Sequence, residues 1–341
     1  MFFTFKPAHA SCRLLGALLA SLSLAAPGWV RADSTLLNVS YDVTRELYKD
    51  LNPAFVAQWQ KSAGEKLAIK QSNGGSTKQV QSVLAGLDAD VITMNQPPDV
   101  DALVKGGLVA ADWRKAFPHN ATPYTTTTIF LVRKGNPKGI KDWADLLKPG
   151  VEVIIPNPKT SGNGRYTYLA AWVYGLQKSG TEAGARDYVS KLFARVPVLD
   201  GGGRGATTTF TQRDIGDVLI TFENEAILID QEVGGDKFDV VYPSVSVEAS
   251  PPVAVVGKVV DKRGTRRQAE AYLNFLYTPA AQEIIARHHF RPRDESILHK
   301  YASQFPKVKT FSVEEALGGW EKAQKLHFSD GGVYDQIVTR R

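Results

Sequence analysis

Cysteine is nearly missing from the 341-residue chain, which carries Cys12 and no other. A single thiol excludes an internal disulfide framework and any zinc or iron–sulfur site built from cysteines alone. Internal repeats, low-complexity tracts and blocks of like charge are also lacking. No apolar stretch reaches the roughly 20 residues of a membrane span. Glycine-rich stretches occur, yet none runs into the Gly-Lys-Ser/Thr of a phosphate-binding loop or opens a full dinucleotide fingerprint. Ser76 lies in Gly75-Ser76-Thr77-Lys78, without the second glycine of a nucleophile elbow. The histidines are dispersed, and the adjacent His288 and His289 do not share one helical face. Neither a metal nor a cofactor is expected.

What is present is an ordinary globular composition, 43% hydrophobic and 22% charged, with 29 glycines and 18 prolines. The length suits about two domains. Residues 1–32 read as a secretory signal: Lys6 and Arg13 lead, Leu14 to Ala26 is apolar, and Val30-Arg31-Ala32 fits a cleavage site after Ala32. Cleavage there removes three basic residues and no acid, so the net charge falls from +6 to +3. Cys12 leaves too, and it precedes the apolar run, which argues against a lipid-anchored cysteine. A cysteine-free exported chain suits a bacterial periplasm. Its slight, unclustered basic charge argues against nucleic acid.

Short β runs alternate with amphipathic helical stretches, which predicts an α/β fold with largely parallel sheets. Strands are expected at Leu36–Val39, from Leu67, at Asp90–Met94, Tyr124–Arg133, Val151–Ile155, Val196–Leu199, Asp217–Phe222 and near Val253–Val260. The helix after the first strand should break or kink near Asn52-Pro53. Asn73-Gly74-Gly75 reads as a turn, and Ser76 with Gln79 as a capping box. Helices are expected around Arg267–Tyr277 and Pro279–His288.

Three strand–loop–helix junctions carry small residues where a helix should begin: Asn73-Gly74-Gly75-Ser76, Ser161-Gly162-Asn163-Gly164 and Gly201-Gly202-Gly203-Arg204-Gly205. Helix amino ends expose unpaired N–H groups and the positive end of the dipole, so they suit anions. In open α/β sheets such loops lie at the carboxyl ends of the strands, where ligands bind. Any one of these loops is equally explained as turn chemistry; three together point to an anion site.

Long runs then resemble the periplasmic sulfate- and thiosulfate-binding proteins of ABC importers. They include Leu37-Asn38-Val39-Ser40-Tyr41-Asp42-Val43-Thr44-Arg45-Glu46-Leu47, Phe130-Leu131-Val132-Arg133-Lys134-Gly135-Asn136-Pro137 and Pro156-Asn157-Pro158-Lys159-Thr160-Ser161-Gly162-Asn163. Gly216-Asp217-Val218-Leu219-Ile220 and Gly318-Gly319-Trp320 continue the match over nearly the whole exported chain. The resemblance implies a type II periplasmic-binding-protein fold, with lobe 1 from residues 33–123 and 247–341 and lobe 2 from residues 124–246. Each lobe is then a mostly parallel sheet flanked by helices, hinge strands join them, and the C-terminal helices pack across both lobes. The implied partners are one sulfate or thiosulfate dianion and an inner-membrane ABC permease; a monomer is expected.

In that family the dianion is dehydrated and held mainly by backbone N–H groups, without a cation. The resemblance assigns N–H donors to Asp42, Ser76, Gly162, Asn163 and Gly203, and a hydroxyl donor to Ser161. Arg165 and Arg204 then either orient loop peptides or are surface charges. Sulfate-binding members carry a tryptophan indole donor where this chain has Phe222, which offers no donor. Phe222 either shifts preference toward thiosulfate, whose sulfur tolerates an aromatic edge, or merely fills space. Other readings of the same loops are a site for another tetrahedral oxyanion such as molybdate, an exported ester hydrolase, or a sensor with a vestigial site.

Overall fold

The computed structural model describes residues 34–232 and 234–339; the expected signal, residues 1–32, lies outside the described residues. The strands among them are β1 (Ser34–Tyr41), β2 (Leu67–Gly74), β3 (Val91–Thr93), β4 (Tyr124–Arg133), β5 (Val153–Ile154), β6 (Val218–Phe222), β7 (Phe238–Val241), β8 (Ser246–Ala249), β9 (Val253–Val255), β10 (Arg291–Pro292) and β11 (Thr310–Phe311). They form two sheets. The first has the order β2-β1-β3-β9, with β1 parallel to β2 and β3, and β9 antiparallel to β3. The second runs β11-β8-β4-β6-β5, with β7 and β10 also pairing with β4. In it β5 and β6 are parallel, as are β11 and β8, while every partner of β4 is antiparallel to it.

Each sheet has its own core. Leu36 and Val39 of β1 pack with Leu47, Leu51 and Phe55 from the Arg45–Ala63 helix and with Tyr272 and Leu273 from the Arg266–Phe275 helix. In the second sheet, the two-residue period of a strand sorts β4 cleanly. Phe130 and Val132 join Trp143, Tyr168 and Trp172 on one face, and Ile129 and Leu131 join Phe210 and Phe238 on the other. Trp320, Phe328 and Tyr334, near the C-terminus, belong to the core that contains Phe130.

Four local expectations need correction. The Arg45–Ala63 helix runs through Pro53 without a break. Proline forfeits a backbone hydrogen bond, a cost of about 3 kcal/mol, but burial of Leu47, Leu51, Phe55 and Trp59 at four-residue spacing returns about 1.5–3 kcal/mol each. Asn73 and Gly74 are not a turn; they close β2, in register with Ser40 and Tyr41. Val196–Leu199 forms no strand, because Val196 N–H is taken by Phe193 O in the turn ending a helix. Finally, β9 stops at Val255, and Gly257–Arg263 is helical.

Candidate anion site

Four chain segments meet near the carboxyl ends of β1, β2 and β5, the fourth being the loop before the Gly203–Thr211 helix. The contacts leave little room for a side chain at the glycines. A Cβ on Gly75 would stand 3.0 Å from Thr160 O and 3.1 Å from Gly201 O, so the three small-residue loops touch through their backbones. A Cβ on Gly202 would lie 2.6 Å from Asp42 Oδ2 and 3.7 Å from the Gly75 Cα. On Gly203 it would meet Val43 Cγ1 at 3.0 Å and Asn163 Nδ2 at 3.4 Å. Asp42, Ser76, Ser161, Gly162, Asn163 and Gly203 are thus brought to one place, and all but Asp42 are buried.

Four of these residues open helical segments. Asp42 starts the 3-10 turn Asp42–Thr44, Ser76 the Ser76–Leu84 helix, Gly162 the Gly162–Ser179 helix and Gly203 the Gly203–Thr211 helix. First-turn N–H groups have no partner inside a helix, and their summed dipoles give the site positive potential without a cation. Ser161 is the N-cap of its helix, its Oγ accepting from Gly164 N at 3.3 Å. That leaves its hydroxyl hydrogen available as a donor. The Asp42 carboxylate accepts the Arg204 N–H at 3.1 Å and so caps the Gly203–Thr211 helix.

The expected capping box at Ser76 is absent. Gly75 is the N-cap, and Ser76 Oγ donates instead to Asp99 Oδ2 at 2.5 Å. Gln79 donates through Nε2 to Ser40 O and Ser72 Oγ, pinning the helix to β1 and β2. Tertiary partners outbid the local ones because both groups are buried and must be satisfied.

Charged groups surround the loops. Asp99 also accepts from Thr77 Oγ1 at 3.1 Å. Arg165 is buried, and its guanidinium donates to Pro158 O at 2.8 Å and Lys159 O at 3.3 Å, holding the loop before Ser161. Burial pushes the Asp99 carboxyl up, against the pull of Arg165, and burial lowers Arg165. Burial also raises Asp42, opposed by the Arg204 N–H bond. Glu225, whose Oε1 accepts from Thr207 at 2.9 Å, is pushed up to about 7 by burial. Burial is the largest influence on all three carboxyls, opposed in each by hydrogen bonds.

Phe222 closes β6 and is fully buried, its ring meeting Tyr166 edge-on at 5.8 Å. It shares a cluster with Tyr41 and Val43, the neighbours of Asp42, so that cluster reaches the site. Thr221, one residue earlier, accepts from Asn163 Nδ2 at 2.9 Å. Thr221, Asp99 and Asn95 went unnoticed in the sequence. A signal for two of them was available: Asn95-Gln96-Pro97-Pro98 is a fourth loop leaving a strand end, and it leads to Asp99.

With this geometry in hand, comparison with known proteins is decisive. Residues 36–291 match the family described as "Bacterial extracellular solute-binding protein". The chain is 59% identical over 328 residues to the thiosulfate-binding protein of Pseudomonas aeruginosa PAO1, covering 96% of this chain and 99% of that one. It belongs to that solute-binding family. The chain is also 54% identical over 318 residues to the sulfate-binding protein of Escherichia coli K12, covering 93% and 97% of the two chains. Among solved structures, the sulfate-binding protein SubI of Mycobacterium tuberculosis H37Rv superposes with a TM-score of 0.79 at 34% identity, over 87% of this chain and all of that one. The solute-binding fold of this chain is therefore the type II α/β arrangement, and the relatives are binding proteins by name.

Proposed function

We propose that this solute-binding protein captures one sulfate or thiosulfate dianion in the bacterial periplasm and passes it to an ABC permease. The observation that carries the reading is the convergence of the Ser76, Gly162 and Gly203 helix amino ends with Asp42 at one buried point. The names of the relatives, thiosulfate-binding and sulfate-binding proteins, support it. The donors are the backbone N–H groups of Asp42, Ser76, Gly162, Asn163 and Gly203 with the Ser161 hydroxyl. Arg165 orients the peptides it holds, and the Arg204 peptide is fixed by Asp42. Lobe 1 is built on the first sheet and lobe 2 on the second, with β4 passing between them. The anion draws groups of both together by hinge closure.

Selectivity follows from a donor-only shell. Sulfate and thiosulfate offer acceptors alone, whereas hydrogen phosphate brings an O–H that finds no acceptor, a cost of about 1–3 kcal/mol. Phe222 supplies no donor, and one charge-assisted bond is worth about 1.5–3 kcal/mol, so sulfate loses more than thiosulfate, whose sulfur is the poorer acceptor. Competitive titration of wild type and Phe222→Trp tests this: the variant should gain roughly tenfold for sulfate over thiosulfate. An unchanged ratio overturns the role given to Phe222.

Ser76 is hydrogen-bonded to Asp99, while His288, His289 and His327 bond to Asp50, Gln231 and Tyr168. Capture without turnover is the reading favoured by that arrangement. Incubation with labelled sulfate and thiosulfate should return both anions chemically unchanged and bound; conversion of either one contradicts it.

A further inference from the structure

Asn95 stands in the site without an assigned task. It follows β3, and its side chain is 3% exposed. Its backbone N–H donates to Ser76 Oγ at 3.3 Å, fixing it to one anion loop. Its carboxamide lies on a second: a Cβ on Gly162 would sit 1.9 Å from Asn95 Oδ1 and 2.6 Å from Asn95 Nδ2. Gly162 is thus glycine because the Asn95 amide occupies the space of a side chain. Most telling, the Oδ1 atom is buried and has no hydrogen-bond partner. An unpartnered buried polar atom is costly, and an ion that the same side chain meets is one explanation of such a group.

We propose that Asn95 is a further anion-contacting side chain, whose carboxamide turns its N–H toward the dianion held at the amino end of the Gly162–Ser179 helix. Half a turn about the last side-chain bond exchanges Oδ1 and Nδ2 with no change of shape. Beside a dianion the nitrogen-inward orientation wins, because it replaces an oxygen–anion repulsion with a charge-assisted bond. Asn95 then adds from the first sheet a side-chain donor that Phe222 does not supply from the second.

The inference rests on the oxyanion reading above, so the experiment separates the two. Calorimetric titrations with thiosulfate, sulfate and phosphate use wild type, Asn95→Ala and Asn95→Asp, with melting of each ligand-free protein to check the fold. The expected result is wild-type binding of the two sulfur anions and about a tenfold loss in Asn95→Ala. Asn95→Asp keeps the shape but sets a carboxylate against the dianion. Its loss should exceed about a hundredfold near neutral pH and shrink as the pH falls and that carboxyl takes a proton, a trend Asn95→Ala lacks. Equal affinities in all three proteins, with wild type binding normally, overturn the role of Asn95 alone. Tight phosphate binding by wild type that Asn95→Ala abolishes also overturns it, since Asn95 then acts as an acceptor. Failure of wild type to bind either sulfur anion overturns the oxyanion reading, and this inference with it.

Discussion

Gly162 and Glu225 show how single residues tie the site to stability. Adding a methyl group at Gly162 forces the Asn95 amide aside. Overpacking of this kind costs about 1–3 kcal/mol. Gly162→Ala should therefore melt earlier and bind at least tenfold more weakly, and combining it with Asn95→Ala should restore much of the melting temperature. Glu225 makes a different prediction. Burial raises its carboxyl to about 7, from 4.5 when unfolded. The folded protein thus keeps a proton that the unfolded chain gives up first, and stability is lost as pH rises from about 4.5 to 7. The full effect is roughly 3 kcal/mol. In Glu225→Gln this loss disappears, so the variant's advantage over wild type should grow across that window in thermal melts. His327 runs the opposite way. Burial lowers it to about 4, so its contribution is present above about 6.5 and is lost as pH falls toward 4.

At the scale of the element, strands and glycine loops were legible because their signals are local. The β-prone run Tyr124–Arg133 is β4 with both ends where composition places them. Gly75, Gly162 and Gly202–Gly203 marked the loops because neighbouring backbone at Gly75, and the Asn95, Asp42 and Val43 side chains at the others, crowd the place of a Cβ. Where tertiary partners decide, the sequence was silent or misleading. The Ser76–Gln79 pair has the spacing of a capping box, but Asp99 and Ser40, distant in sequence, take both side chains. Pro53 carries a breaker signal, yet the buried face of its helix overrides it. Asn95 has only the weak signature of a loop leaving a strand end; its meaning depends on the Gly162 backbone opposite it.

At the scale of the whole molecule, contacts between residues far apart in sequence hold the second sheet together around Phe222. Arg291 of β10 clasps the fully buried Glu223, next to Phe222, at 2.7 and 2.8 Å, and Tyr242 donates to the same carboxylate at 3.1 Å. Because β10 pairs with β4 at Thr125, this ion pair ties the end of β6 to the start of β4 within that sheet. Arg291→Ala leaves a carboxylate buried and unpaired, and should cost about 3 kcal/mol in denaturant unfolding. If the anion bridges the sheets as proposed, small-angle scattering should show a smaller radius of gyration with saturating thiosulfate than without. As proposed, uncharged N–H groups, not lysines or arginines, hold the anion. A crystal structure of the thiosulfate complex tests it most directly. It should place the N–H groups of Asp42, Ser76, Gly162, Asn163 and Gly203 about 2.7–3.2 Å from the anion, with no cationic side chain in contact. An anion gripped by Arg165 or Arg204, or seated away from these loops, would contradict it.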